Sequence, residues 1–481
     1  MTDGLTAADL PLVLLVGSLV LLVSIVAVRV STRSGLPSLL LYLAIGLGIG
    51  EAGLGIRFDS AELTQVLGYV ALVLILAEGG LTTRWSSIRR SIGPALVLST
   101  VGVVISVVTV AAAAHLVLGL DLSTALLLGA ILSSTDAAAV FSVLRRVPLP
   151  RRLSGMLEAE SGFNDAPVVL LVAAFATQGA TGHTEPWWQL TLVITLELVG
   201  GAVIGLAIGF VVGWVARRTV PGSSALFALG IIATTVLAYA VAAALHTSGF
   251  IACYLAALVL GNSKLPHGQA VTGFAAAMGW LAQIGLFIML GLLASPAGFP
   301  SQIGPALVLG AVLLLVARPL SVLVSLTPFR IRWRDQAFLS WAGLRGAVPV
   351  VLATVPMTSG QSSLRWIFDL VFVLVVVFTA VQAPTLPFVA RALGLEEKHR
   401  TMGLAVETTS LDEMDANVLE VTVGQSSRIS GVRVAELRLP VGANVALVVR
   451  GHEAMVPQPQ TTLRQGDQLL VIATSAVRKA E

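Results

Sequence analysis

The stretch Glu160-Ser161-Gly162-Phe163-Asn164-Asp165-Ala166-Pro167-Val168-Val169-Leu170-Leu171-Val172 decides how this chain is read. Two carboxylates, an amide and a hydroxyl open a run that is otherwise apolar. At helical spacing Ser161 and Asp165 share one face, and Glu160 and Asn164 share the neighbouring stripe. Acids in a first turn complement the helix dipole, which accounts for Glu158 and in part for Glu160. Asp165 stands deeper, ahead of a purely apolar segment. An ionisable residue within such a segment is costly and marks a functional site by default.

The rest of the chain sets the surroundings of that helix. Of 481 residues 56% are hydrophobic and only 11% charged, against roughly a quarter charged in soluble proteins. The mean hydropathy is +0.91. Apolar residues come in runs of about twenty, enough to cross a hydrocarbon core of ~30 Å. They fall at 9–28, 37–56, 63–82, 92–119, 123–144, 157–178, 189–216, 222–244, 247–262, 271–294, 303–326, 335–357 and 366–393. Backbone in lipid must satisfy its own hydrogen bonds, so an all-α membrane protein is predicted.

The pI near 9.3 does not imply nucleic acid as a partner. The excess arginine lies in short loops, where it sets topology. Loops after the odd-numbered segments carry Arg29 and Arg33, Arg84, Arg89 and Arg90, then Arg145, Arg146, Arg151 and Arg152. Further on they carry Arg217 and Arg218, Lys264, and Arg330, Arg332 and Arg334, whereas the other loops hold only Arg57 and Arg365. The N-terminus is therefore expected outside and the C-terminus in the cytoplasm. The first run has no basic flank before it and reads as a retained helix. The single cysteine, Cys253, reads as a small core residue.

Two of the segments are interrupted. The fifth contains Ser133-Ser134-Thr135-Asp136, and the twelfth contains Gly343-Leu344-Arg345-Gly346-Ala347-Val348-Pro349. Both patterns weaken helix continuity and free backbone groups for ligands. An offset of seven segments reverses orientation, so segments 1–6 and 8–13 can form an inverted repeat. Broken helices at matching positions of two such halves point to a transporter's midplane site. Arg345, a buried cation, needs an acidic partner; Glu160 is the expected one, with Asn164 bridging. Asp136 is expected to compensate the dipole ends where the broken helices cross. Glu78 is a further intramembrane acid, whereas Glu197, Arg318 and Asp369 read as helix-end or scaffold residues. No phosphate loop, nucleophile elbow or metal-spaced histidine set appears, so neither an enzyme nor an ATP-driven pump is predicted.

After residue 393 the composition changes. A polar linker, 394–410, leads to a small soluble-looking unit, 411–481. Within it residues 418–423, 444–450 and 468–474 read as strands, 430–437 as a short helix, and Gly466-Asp467 as a turn, a βαβ-type pattern.

At these motifs the sequence resembles the NhaP branch of the monovalent cation:proton antiporters. Thr135-Asp136 is similar to that family's helix-break motif, Glu160-Ser161 with Asn164-Asp165 to its ion-binding motif, and Gly343-Leu344-Arg345-Gly346-Ala347 to its arginine motif. Glu78-Gly79-Gly80 is similar to its acid on the third helix. The resemblance covers about residues 10–393. It implies thirteen transmembrane helices with inverted six-helix repeats, two broken crossing helices, and a homodimer in a bacterial inner membrane. By the family pattern Asp165, Ser161, Glu78 and Thr135 would bind K+ or Na+ in competition with H+, and Asn164, Glu160, Arg345 and Asp136 would support them.

The tail resembles the TrkA-C domain, through residues 427–437, Pro457 and Gly466-Asp467. That implies a small α+β regulatory domain for a small ligand, with a nucleotide as one candidate. No Gly-x-Gly-x-x-Gly unit lies between the last apolar segment and this domain, so gating by a dinucleotide is unsupported. The predicted function is electroneutral exchange of K+, or Na+, for H+ across the cell membrane, serving pH homeostasis and needing no cofactor. The alternatives are a Na+/H+ antiporter of the same family and a ligand-gated potassium channel, although no carbonyl-filter signature occurs.

Overall fold

A computed structural model of the chain describes residues 10–395 except 35–36, 52, 54, 56–57, 59, 137–139, 141–148, 182–185, 219–222 and 361. It also describes residues 406–474 except 412–415, 425–426, 428, 438, 440–442 and 452. Two compact units result, Met1–Glu396 and Glu397–Glu481.

The first unit is helical and its elements follow the apolar segments in order. They are α1 (Leu10–Ser34), α2 (Ser38–Ile49), α3 (Ala61–Thr82), α4 (Ile92–Leu118), α5 (Leu122–Ile131), α6 (Arg151–Thr181) and α7 (Trp187–Ala216). Then come α8 (Ser224–Ala244), α9 (Gly249–Asn262), α10 (Gly268–Leu293), α11 (Pro296–Phe329), α12 (Trp333–Trp341), α13 (Ala347–Leu352) and α14 (Arg365–Ala392). Among the described residues eight helices are long and apolar enough to cross a membrane, namely α3, α4, α6, α7, α8, α10, α11 and α14. Shorter apolar helices occupy the remaining segments. Both interrupted segments do lose their helix, α5 stopping at Ile131 and α12 at Trp341.

Two further irregularities sit seven segments apart. One π turn interrupts α4 at Leu98–Gly102 and another interrupts α11 at Leu313–Ala317. Such turns are rare and cluster at functional sites. Close helix contact is made with small residues, as membrane packing requires. Gly201, Gly205, Gly209 and Gly213 of α7 are buried against α9, and a Cβ on Gly209 would lie 2.9 Å from Val259.

The second unit is a five-stranded antiparallel sheet in the order β1-β2-β5-β3-β4. Its strands are Val406–Leu411, Ala416–Thr422, Ala443–Arg450, Glu453–Met455 and Gln468–Thr474. Strand β5 lies between β2 and β3 and is antiparallel to both, so β2 and β3 run parallel without touching. The expected βαβ pattern is thus corrected to a β sheet in which β5 separates the two parallel strands. The helix expected over 430–437 reduces to one 3-10 turn at Val434–Glu436. The unit also begins earlier than expected, since β1 lies in the stretch read as linker. Its small core gathers Val423, Val445, Val448, Leu463, Leu469 and Val471.

Asp467, fully buried, takes both ends of the Arg450 guanidinium at 2.8 Å and the Arg464 backbone N–H at 2.7 Å. The Arg450 guanidinium holds the Asp467 carboxyl below the usual aspartate range. A depressed folded value stabilises the unit above the ordinary aspartate pKa of about 3.9, and that contribution is lost as pH falls through the folded value. Limited proteolysis of the full chain should therefore open residues 406–474 on acidification. Asp467→Asn should make the same region protease-sensitive at neutral pH and flatten the acid limb.

Candidate ion-binding site

The two broken segments meet back to back. Past the end of α5, Ser134, Thr135 and Asp136 run without helical bonding, and the Asp136 N–H donates to the Leu344 carbonyl at 2.8 Å. The carbonyls of Ser133 (2.7 Å) and Ser134 accept from Arg345 Nη1. A cation thus answers carbonyls that a broken helix end leaves without partners. Gly346 has no room for a Cβ, because the Asp136 carboxyl stands where it would go. Asp136 therefore lies against the second break, at the head of α13, where its charge complements the helix N-terminus.

Helix α6 brings its polar face to this crossing. Glu160 is 3% exposed and accepts both ends of the Arg318 guanidinium, at 2.5 and 2.9 Å. It also accepts the Thr135 hydroxyl at 3.0 Å. Asn164 Nδ2 donates to Thr135 Oγ1 at 2.6 Å, so Thr135 relays Asn164 to Glu160. Both π turns serve the same residue. Ser99, within the first, donates to the Glu160 carbonyl at 3.2 Å, and Arg318 follows directly on the second. Gly343 leaves the space that the Arg318 side chain fills: a Cβ there would lie 2.7 Å from Nε.

The expected Glu160–Arg345 pair is therefore corrected. Glu160 is paired with Arg318, Arg345 spends its Nη1 on backbone carbonyls, and Asn164 bridges to Thr135 instead of to arginine. Arg345 Nε and Nη2 and Asn164 Oδ1 are buried without partners among the described residues. Sequence reasoning placed Arg318 among scaffold residues. The available signal was an arginine inside the otherwise uncharged run 303–326, but spacing could not say which arginine reaches Glu160.

Asp165 is 8% exposed and accepts the Ser134 hydroxyl at 2.7 Å, a contact the sequence did not suggest. It lies on a cavity of about 500 Å³ lined also by Glu78, Thr135, Asp136, Glu158 and Ser161. The structure thus gathers Asp165, Ser161, Glu78 and Thr135 on one wall system, with Asp136 beside them. Glu160, Asn164 and Arg345 are not among the lining residues; they stand behind it. Gly162 abuts the Tyr254 ring with no space for a side chain, which keeps α6 close to α9.

Crossed helix breaks backed by paired charges, with a carboxylate facing a cavity, define a secondary transporter of the membrane. Comparison with known proteins is more specific. A family model described as "Sodium/hydrogen exchanger, transmembrane" matches residues 18–392, and the TrkA-C domain matches residues 418–480. The chain belongs to the sodium/hydrogen exchanger family of cation:proton antiporters. It is 37% identical to the K(+)/H(+) antiporter NhaP of Alkalimonas amylolytica over 97% of this chain and 82% of that protein. It is 34% identical to the K(+)/H(+) antiporter NhaP2 of Shewanella baltica (strain OS223), over 95% of this chain and 80% of that one. Its fold is similar to the sodium proton antiporter MjNhaP1 from Methanocaldococcus jannaschii, with a TM-score of 0.72 at 21% identity, over 81% of this chain and 100% of that chain.

The packing at Gly346 yields a prediction. In Gly346→Ala the new methyl must displace the Asp136 carboxyl, and shifts near 1 Å cost on the order of a hundredfold in positioned chemistry. Cation-driven proton flux in vesicles should fall by about that factor while expression and the melting temperature change little.

Proposed function

We propose that this protein exchanges K+, with Na+ as the lesser substrate, for H+ by competition at Asp165. The observation that carries the reading is the charge balance of the crossing. Glu160 is matched by Arg318, and Asp136 lies against Gly346 at a helix N-terminus. Of the acids lining the cavity, Asp165 accepts a hydroxyl, that of Ser134, and is in no ion pair among the described residues. A bare carboxylate in the bilayer costs a few kcal/mol or more, whereas one loaded with either H+ or K+ is neutral. Only loaded states then reorient, which couples the two fluxes one for one without an energy-consuming step.

Ser161, Thr135 and Glu78 supply the remaining oxygens for the cation; hard oxygen donors suit alkali ions. Thirteen crossings arranged as two inverted halves are supported by the paired breaks in segments 5 and 12 and the paired π turns in α4 and α11. Potassium is favoured because the relatives named as K(+)/H(+) antiporters share 34–37% identity with this chain, against 27% for the Na(+)/H(+) antiporter ApNhaP of Aphanothece halophytica. A homodimer with a tail that regulates flux completes the proposal.

The test is proton flux in everted vesicles of the bacterial inner membrane, driven by K+, Na+ or Rb+ across a range of pH, with and without residues 403–481. Exchange with K+ ahead of Na+, altered by removal of the tail, is expected. Cation flux without proton counter-movement would overturn the proposal.

A further inference from the structure

A second cavity, of about 1100 Å³, opens on the far side of α6, between α4 and α6 on one wall and α7 and α9 on the other. It exceeds the roughly 300–1,000 Å³ of ordinary small-molecule pockets. Phe163 and Pro167 of α6 face it, on the same helix whose other side carries Asp165. Leu198, Leu206 and Phe210 of α7 form the opposite wall.

The long walls offer nothing polar. The hydroxyls that reach the lining are already bonded to backbone carbonyls: Ser99 to Glu160, Thr100 to Leu96 at 2.7 Å, and Thr195 to Thr191 at 2.7 Å. Water held there would lack the two to four polar partners it needs. Hydrocarbon would lack nothing.

One end is different. The close approach of Gly213 to Ser263 brings the C-terminal ends of α7 and α9 together, so Arg217 and Lys264 stand at the same rim. Neither is in an ion pair among the described residues, and no acidic side chain lines the cavity. Trp85, half exposed at 49%, sits at this rim too, its backbone N–H donating to Asn262 Oδ1 at 2.7 Å. An aromatic and two cations above an apolar shaft match the layers of a lipid leaflet.

We infer that this cavity is a binding site for one anionic phospholipid, its phosphate between Arg217 and Lys264 and an acyl chain along α6 and α7. Seated there, the lipid holds the helix that carries Asp165 against α7, which otherwise packs mainly on α9 and α8.

The test is native mass spectrometry of the purified full chain after exchange into vesicles holding equal phosphatidylglycerol and phosphatidylcholine. Phosphatidylglycerol should be retained and phosphatidylcholine lost. Neutralising both cations (Arg217→Gln with Lys264→Gln) should lower that retention about tenfold or more, since each basic residue at a membrane surface strengthens anionic binding. Ala202→Trp, which narrows the shaft and leaves the charges intact, should lower it as well. The exposed pair Arg330→Gln with Arg332→Gln serves as control and should leave retention unchanged. Equal retention of both lipids, or the same retention in the Arg217/Lys264 variant or the same loss in the control, overturns the site. So does a cross-link at Leu206 to a second copy of the chain, which would make the cavity a protein interface. The readout is bound lipid, so it does not depend on which ion is carried.

Discussion

Asp165→Asn is expected to abolish exchange: K+ added to everted vesicles should leave the pH gradient intact, a loss of at least about a hundredfold. The amide matches the carboxylate in shape, and its oxygen can still accept the Ser134 hydroxyl now held at 2.7 Å. What disappears is the charge that H+ and K+ neutralise in turn. A permanently neutral site has no loaded and empty states to distinguish, so reorientation no longer couples two fluxes. Stability should hold or rise, because an ionised group taken from water into the interior opposes folding. A melting temperature unchanged or higher, together with lost transport, separates this outcome from misfolding. Glu78→Gln should act differently. Glu78 shares the cavity without sharing the Ser134 contact, so its variant should retain one-for-one exchange with a raised apparent KM for K+, a cation oxygen having been weakened.

Removing Arg318 should produce the largest loss of stability in the membrane unit. Arg318→Met leaves Glu160 ionised, 3% exposed and held only by Thr135. Breaking a buried pair from one side costs about 3–5 kcal/mol. Replacing both partners is far milder, because no charge is then stranded; Glu160→Gln combined with Arg318→Met should recover most of the loss. A double-mutant cycle on thermal stability in detergent should therefore show strong coupling between Glu160 and Arg318. The cycle between Glu160 and Arg345 should show weaker coupling, since Arg345 gives its Nη1 to the carbonyls of Ser133 and Ser134.

The contrast between those two arginines marks where sequence stopped being informative. Apolar runs, the few charges inside them and the two interruptions were legible, because lipid admits few backbone solutions. Asp165 and Ser161 were legible as one face, because helical spacing fixes neighbours within an element. Which arginine meets Glu160 depends on how α11 crosses α6, a tertiary relation between residues 158 apart in sequence that no local period encodes. The role of Gly343 was hidden for the same reason: it reads as part of an arginine motif, yet its missing side chain makes room for a different arginine. The π turns were equally unreadable, since Leu98–Gly102 and Leu313–Ala317 carry no composition that separates them from ordinary helix. In the tail, strand pattern located β2, β3 and β5, but the placing of β5 between the other two came from long-range pairing. Strand β1 escaped because its sequence, Val406–Leu411, is mostly polar and pairs only on one edge.

Competition at a single carboxylate makes a kinetic statement that structure alone does not. In proteoliposomes of the full chain, K+-driven proton flux should be measured against K+ concentration at successive pH values. As pH falls, the apparent KM for K+ should climb, approaching about tenfold per pH unit once the carboxylate is mostly protonated, because one proton must leave for each cation bound. The maximal rate should stay level. A KM independent of pH, with the maximal rate carrying the whole pH dependence, would mean that H+ and K+ do not share Asp165.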